Sequence, residues 1–332
     1  MGPRVVHAYL LALLVATACG DAGSTADTGS TAAEATGESG DPTPTTGDED
    51  TDTDAGTGSE TGSSTGEPTP PVTQGTLQLL TYNVAGLPEG ISGSMPTLYI
   101  PQISPLLNQY ELALVQEDFA FHPELAAEAE HPYQSEPHPD VDVENYVLGD
   151  GLNEFSQFAF GPLERVAWKQ CNGQLDMGSD CLTDKGFYRS VHTLAEGIAV
   201  DVYNLHMDAG SSPGDIAARD VQVMQLVEYI ASHSQDRAVI VAGDTNMDEE
   251  DEASLQALLL GAGLTDVCRA LDCGDEYRID RVLYRSSAQI ALTPMSWAID
   301  PSFVDPMGNA LSDHEALGVV IGWAWDRVRR LD

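Results

Sequence analysis

The chain is poor in positive charge. Of its 332 residues, 53 are acidic and 14 are lysine or arginine, giving a net charge of −39 and a pI near 4.1. Lys169 and Lys185 are its two lysines. A groove for a polyanion needs clustered cations, so the composition argues against nucleic acid as a partner. Long apolar runs are scarce as well. The run at residues 5–15 falls far short of the roughly 20 residues that span a bilayer, which excludes an ordinary transmembrane anchor there. Cysteine is sparse and odd in number, with five in all.

Residues 1–18 carry one early cation, Arg4, then the apolar run, then Ala16-Thr17-Ala18 ahead of Cys19. This is the pattern of a bacterial secretory signal. The Ala-x-Ala would serve an ordinary signal peptidase, while a cysteine directly after it resembles a lipoprotein signal with Cys19 acylated. A lipid-anchored, extracytoplasmic protein is the expectation, with simple secretion as the alternative. Residues 19–74 are Gly, Ser, Thr, Asp, Glu, Pro and Ala with almost no large apolar side chain. Such a segment cannot bury enough surface to offset its ordering entropy, and an acidic disordered tether is expected. If Cys19 is lipidated, four cysteines remain. Cys171 with Cys181 and Cys268 with Cys273 each bracket a polar loop. Two local disulfides are the simplest of three connectivities, and export permits them. A zinc site is the alternative, but neither pair has the two-residue gap of a zinc knuckle.

Residues 75–332 alternate strand-like and helix-like segments. Strands are expected over 76–83, 112–117, 197–206, 239–242, 278–284 and 311–321. Helices are expected over 99–110, 215–232 and 253–260, and this alternation gives an α/β layered domain with mixed sheets. The run Val239-Ile-Val-Ala-Gly-Asp-Thr-Asn246 is the most informative stretch. A buried strand is broken by Gly243 and followed by Asp244 and Asn246, two positions apart and so on one face of an extended chain. An acid and an amide aimed together suit hard-metal and phosphate chemistry; an ordinary Asx turn is the plainer reading.

Other strand ends carry similar groups. Tyr82-Asn83, Gln116-Glu117, Asn204-Leu205-His206, Gly243-Asp244-Thr245-Asn246, Ile279-Asp280-Arg281 and Ser312-Asp313-His314 occur in this order. The series resembles the endonuclease/exonuclease/phosphatase superfamily across essentially the whole folded part. Leu80-Thr-Tyr-Asn-Val-Ala-Gly-Leu-Pro88, Cys181-Leu-Thr-Asp-Lys-Gly-Phe187 and Asp201-Val-Tyr-Asn-Leu-His-Met-Asp-Ala-Gly210 are similar to its secreted sphingomyelinase-like phospholipase C branch. The long aromatic hairpin of some bacterial sphingomyelinases is not evident.

The resemblance implies a four-layer α/β sandwich with two packed mixed sheets flanked by helices, and a metal-dependent phosphodiesterase. Glu117, Asn83 and Asp313 would hold Mg²⁺ or another hard divalent cation. His314 would be the general base on water, with Asp280 on its other ring nitrogen; some accounts of the family give Asp244 that role. Asp244 and Asn246 would place the water and the phosphoryl oxygens, and His206 would stabilise the growing charge. Lys185 is a phosphate-contact candidate, and Asp208 shares the face of His206. Plainer readings stand beside these: Asp280 as a surface acid paired with its flanking arginines, His206 as a satisfied core histidine, Glu117 beside Asp118 as a solvated pair. The acids at 248–252 are expected to cap the following helix. A calcium site there is the alternative.

Charge separates the substrates. The folded part carries roughly −28, which repels a polyanion but not a zwitterionic phospholipid. Lipid access calls for exposed apolar loops; the candidates are 87–99, with Ile91, Met95 and Leu98, and 297–307, with Phe303. The expectation is a monomeric phospholipid hydrolase. A secreted nuclease of the same superfamily and a non-catalytic surface binding module are the alternatives.

Overall fold

The computed structural model describes residues 72–89, 93–142, 148–173 and 180–325. The signal, Cys19, nearly all of the tether and Ile91 lie outside the described residues. Twelve strands are present among those described. One sheet contains β1 (Gln74–Asn83), β2 (Leu112–Gln116), β3 (Tyr133–Gln134) and β4 (Asn153–Ser156). The second contains β5 (Glu164–Ala167), β6 (Gly186–Ala195), β7 (Ile198–His206), β8 (Val239–Asp244), β9 (Thr265–Asp266) and β10 (Asp280–Arg285). The chain then returns to the first sheet with β11 (Ile290–Ile299) and β12 (Leu317–Trp325). The strand orders are β11-β12-β1-β2-β4-β3 and β5-β6-β7-β8-β10-β9.

Each sheet is antiparallel except for one parallel pair, β1 with β2 and β7 with β8. Each parallel pair is flanked on both sides by antiparallel strands, and those beside β1 and β8 are β12 and β10. The ends of the parallel strands and the starts of their antiparallel neighbours therefore gather at one rim.

Alternation along the strands builds the layers. Leu77, Leu79, Leu112, Leu114, Val200, Val202, Ile240, Ala242, Val282 and Val319 face the gap between the sheets and form one core. Leu80, Tyr82, Ala113 and Val115 face the other way, onto α1 (Pro96–Ile103) and α2 (His122–Ala126). Tyr203, Leu205, Val239 and Val241 do the same on the second sheet, onto α3 (Pro213–His233) and α4 (Glu252–Ala262). A fully buried Leu, Ile or Val contributes about 1.5–3 kcal/mol, so these three interfaces account for the layering. A last short helix, α5 (Val267–Ala270), starts at the Asp266 cap. The result is the expected four-layer sandwich.

Several boundaries differ from expectation. The single helix expected over 99–110 is α1 followed by a 3₁₀ turn over Ser104–Gln109, because Pro101 and Pro105 lack the N–H a continuous helix needs. Gly243 does not break its strand. It sits inside β8 at φ +140°, where a Cβ would lie 2.1 Å from the Leu205 carbonyl oxygen. Only glycine allows β7 and β8 to approach so closely. Residues 311–316 are a loop, and the expected strand begins at Leu317. Both disulfides form as expected, Cys171–Cys181 and Cys268–Cys273. No helix among the described residues is long and apolar enough to cross a membrane.

Candidate active site

At the shared rim, three pairs of side chains meet across the gap between the sheets. From the parallel strands, Asn83 Nδ2 at the end of β1 donates to Asp244 Oδ2 at the end of β8, 3.1 Å away. Glu117, just past β2, places Oε1 3.9 Å from His206 Nε2 at the end of β7. From the antiparallel strands, His314 Nδ1, in the loop before β12, meets both Asp280 oxygens at the start of β10, at 3.1 and 3.0 Å. Residues far apart in sequence are thus brought to one place by strand ends alone.

The three pairs are joined to one another. Asn83 Nδ2 also reaches Glu117 Oε1 at 3.2 Å and His314 Nε2 at 3.4 Å. Asp244 Oδ2 lies 3.4 Å from His206 Nε2 and 3.6 Å from His314 Nε2. Backbone ties fix the loops: the Ser312 hydroxyl donates to the Asn83 carbonyl at 2.7 Å, and the Thr245 amide and hydroxyl both donate to the Ile279 carbonyl.

Glu117 reaches the site through an unusual backbone. Its neighbour Gln116 already points into the gap, so an extended Glu117 would point away from it. Its φ of +56° lies in the left-handed region and turns the carboxylate back toward Asn83. Such a conformation in a non-glycine residue costs on the order of 1–3 kcal/mol. It is held by the Gly86 and Phe119 amides, which both donate to the Glu117 carbonyl.

The electrostatics are uneven. Burial disfavours the His314 cation, but the Asp280 hydrogen bond and the charges of Asp244, Asp280 and Asp313 outweigh it, raising its pKa to about 9. Burial and the Asp280 charge push the Asp244 carboxyl up to about 6, against His314, Lys185 and Asn83. Burial raises the Glu117 carboxyl; Lys185 and Asn83 oppose this and Asp313 adds to it. Burial, then Lys185 and His314, hold His206 well below the usual range, so its imidazole is neutral. Among the described residues its Nδ1 has no hydrogen-bond partner, while Trp168 Nε1 donates to its carbonyl at 2.7 Å.

This donor set fits a hard divalent cation. Four carboxylates, Glu117, Asp244, Asp280 and Asp313, face the rim with Lys185, His314 and, beside Asp280, Arg278 as nearby cationic groups, and burial leaves the Glu117 carboxyl raised. Donor atoms of Asp244, Asp280 and His314 lie within 4.8 Å of one another. The Nδ1 of His314 is engaged by Asp280, however, so these three suit proton handling better than a ligand cage. The outward Glu117 and Asp313 are the better-placed ligands. Asn83 spends its Oδ1 on the Ala85 amide and presents its nitrogen to the carboxylates, so it acts here as a donor between Glu117 and Asp244.

Besides Asn83, two expected site residues are placed differently, Asn246 and Asp208. Asn246 does not share a face with Asp244: β8 ends at Asp244, Asn246 turns to φ +50°, and its Nδ2 donates to the Met207 carbonyl while its amide caps Asp244 Oδ1. Asp208 faces inward, accepting from the Asn172 amide and Gln222 Nε2. It secures the loop that leads to Cys171. Asp313 is exposed, and its Oδ1 accepts from Ser312. Lys185 is at the rim, paired with Asp180 and 3.4 Å from the Met207 carbonyl.

The plainer readings fare unevenly. Asp280 is buried against His314, although Arg278 lies 3.6 Å away. Among the acids at 248–252, Asp248 caps the turn before α4, Asp251 pairs with the buried Arg219, and Glu252 pairs with Arg269. Sequence reasoning missed Trp168, Arg219 and Gln222, which hold the backbone or side chains around His206 and Asp208. No spacing rule connects them to the strands they serve. Of the expected lipid-facing residues, Phe303 is 4 % exposed because it packs on Tyr82 with ring centroids 4.9 Å apart. Met95 and Leu98, half exposed, and Met307, 87 % exposed between the bridged Val304 and Ala310, are apolar residues of the two expected loops that do reach solvent.

The sandwich and the acid–histidine rim together have the form of a class: the fold is that of the endonuclease/exonuclease/phosphatase superfamily, and the chain is similar to its sphingomyelinase-like branch. Within it, the chain is 35 % identical over 278 residues to the sphingomyelinase of Mycobacterium tuberculosis (strain ATCC 25618 / H37Rv) and, equally, to that of Mycobacterium bovis. The match covers 76 % of this chain and 54 % of each relative, so the chain spans about half the length of the curated relatives it matches. No protein-family model matches the chain. Among solved structures, Staphylococcus aureus beta toxin with bound magnesium ions aligns with a TM-score of 0.54 at 15 % identity, over 74 % of this chain and 99 % of that one. Sphingomyelinase C from Streptomyces griseocarneus aligns at 0.53 and 19 %, over 75 % and 99 %. D. rerio TDP2 in complex with a single-strand DNA product aligns at 0.55 and 17 %, over 74 % and 98 %. These likenesses establish the fold.

Proposed function

We propose that the chain is a divalent-cation-dependent phosphodiester hydrolase that removes the phosphorylated headgroup of a zwitterionic phospholipid, sphingomyelin above all. The observation that carries this reading is the Asp280–His314 pair set 3.6 Å from Asp244 and joined through Asn83 to the outward acid Glu117. Mg²⁺ held by Glu117 and Asp313 would neutralise phosphoryl charge. His314 Nε2 takes the proton of the attacking water, and Asp280 on Nδ1 fixes the tautomer and stabilises the imidazolium that forms. Asp244 orients that water, and Asn83 keeps its carboxylate in place. Neutral His206 and Lys185 donate to the phosphoryl oxygens as charge grows on them. The bond to the lipid alcohol breaks on the side opposite the water, and the leaving oxygen takes its proton from solvent. Asn246 and Asp208 shape the loops that support these groups. Met95, Leu98 and Met307 would face the lipid.

The charge of the folded part supports lipid over nucleic acid, and two disulfides are consistent with a site outside the cytosol. An anchor through Cys19 completes the proposal; a Cys19→Ala chain that still partitions into detergent with its lipid label would remove it. The activity is tested by incubating the chain with Mg²⁺ and sphingomyelin, phosphatidylcholine or plasmid DNA, each beside an EDTA control. Phosphocholine release abolished by EDTA, with the plasmid intact, is expected. Plasmid nicking without lipid turnover would replace the substrate class with nucleic acid.

A further inference from the structure

Between the apolar inter-sheet core and the ionisable rim lies a layer of uncharged polar side chains. The inward positions run Leu79, Thr81, Asn83 on β1, Leu114, Gln116 on β2, and Val202, Asn204, His206 on β7. Thr81, Gln116 and Asn204 are fully buried. Gln116 Nε2 donates across the gap to Asn204 Oδ1 at 2.7 Å and reaches Thr81 Oγ1 at 3.1 Å. Asn204 Nδ2 donates to the Val115 and Asn153 carbonyls at 2.9 and 3.2 Å. One side chain of the second sheet is thus bound to three groups of the first.

Stability alone gives little reason for this layer. A neutral hydrogen bond nets only about 1 kcal/mol, and two apolar groups in its place would extend the core below. Position is another matter. Contacts between Leu and Val are non-directional and tolerate small slides of one sheet over the other, whereas short hydrogen bonds on three groups do not. Gln116 immediately precedes Glu117, and Asn204 stands two residues before His206 on the same face.

We propose that Gln116 and Asn204 are positioning residues whose cross-sheet bond sets the separation of Glu117 from His206. They thereby fix the cation-binding acid relative to the groups that hold the phosphoryl oxygens. This rests on the phosphodiesterase reading above.

The test is the full chain carrying Gln116→Leu and Asn204→Leu together. Gln116 and Asn204 leave together, but the Val115 and Asn153 carbonyls lose their side-chain donor, so the urea midpoint falls modestly while the chain stays folded under assay conditions. The kcat on sphingomyelin falls roughly 10–100-fold with KM within about twofold. Mg²⁺ affinity, measured by calorimetry without substrate, weakens roughly tenfold or more. If the double variant does not fold, Gln116→Met takes its place; it keeps the side-chain length, leaves Asn204 its two carbonyls, and carries the same expectation at smaller size. A stable variant with parental kcat and Mg²⁺ affinity overturns the proposal, as does a loss of kcat that only follows the unfolded fraction. Failure of the underlying reading would look different: the parent itself would release no phosphocholine, while calorimetry would still report on the layer.

Discussion

Glu117 is held in a left-handed conformation that its own side chain does not favour, and that strain separates stability from activity. Glycine adopts φ +56° without penalty. Glu117→Gly should therefore raise the thermal midpoint of the metal-free chain by a few degrees, since about 1 kcal/mol moves a domain of this size by roughly 2–4 °C. The same variant should lose phosphodiesterase activity by two orders of magnitude or more, as expected for a ligand of the cation. Differential scanning calorimetry and phosphocholine release read the two effects on one sample. His314 provides the second residue-scale prediction. Its folded pKa of about 9 lies above the ordinary value of 6.5, so its contribution to stability is complete below pH 6.5 and lost as pH rises through about 9. In EDTA, Asp280→Asn should lower the urea midpoint at pH 6. At pH 10 it should leave the midpoint unchanged or raised, because the Asp280 charge also burdens Asp244. His314 must be neutral to take a proton from water, so kcat should rise with pH toward about 9, and the same substitution should move that rise to lower pH. The ionisable residues were legible in the sequence because each ends a strand inside a short motif. The orientation of Asp208 and Asn246 was not, since it depends on Gln222, Asn172 and Met207, which lie on other elements.

At the scale of elements, the disulfide Cys171–Cys181 closes the loop between β5 and β6, and that loop is tied to the one beyond β7 through Asn172. Asn172, beside Cys171, bonds Asp208 and Asp215, while Asp180, beside Cys181, holds Lys185. A Cys171→Ser/Cys181→Ser chain should lose about 2–3 kcal/mol of stability. Its kcat/KM should fall about tenfold as Lys185 loosens, and a parental kcat/KM would show that Lys185 needs no such support. The strands β1, β2, β7 and β8 could be read from sequence because β-branched or leucine-rich runs end in polar groups. The strand β12 was misplaced by six residues at its start, because Leu311 and Ala316 look like strand residues but are buried as loop anchors in the core beside α1. The strand β11, with Thr293, Pro294 and Ser296 and a register shift between Pro294 and Ser296, lacked the periodicity that would have revealed it.

For the whole molecule, charge and topology answer different questions. The acidity that argues against a nucleic-acid groove says nothing of the fold, while the order of six short motifs indicated the sandwich and its rim. What no motif could carry was the pairing of the two sheets. It depends on Asn83 meeting Asp244, Glu117 meeting His206, and Asp280 meeting His314, contacts that exist only once both sheets are stacked.

The position of β12 has a consequence in time. It lies between β11 and β1, pairing Gln74 with Ala324, so the first strand of its sheet waits for the last. Pairings this distant in sequence form late and slowly. A chain still emerging from a ribosome or a translocon lacks His314 and leaves one side of β1 open, whatever else has folded. On the proposed reading, the site that would attack phospholipid stays incomplete until β12 closes the sheet.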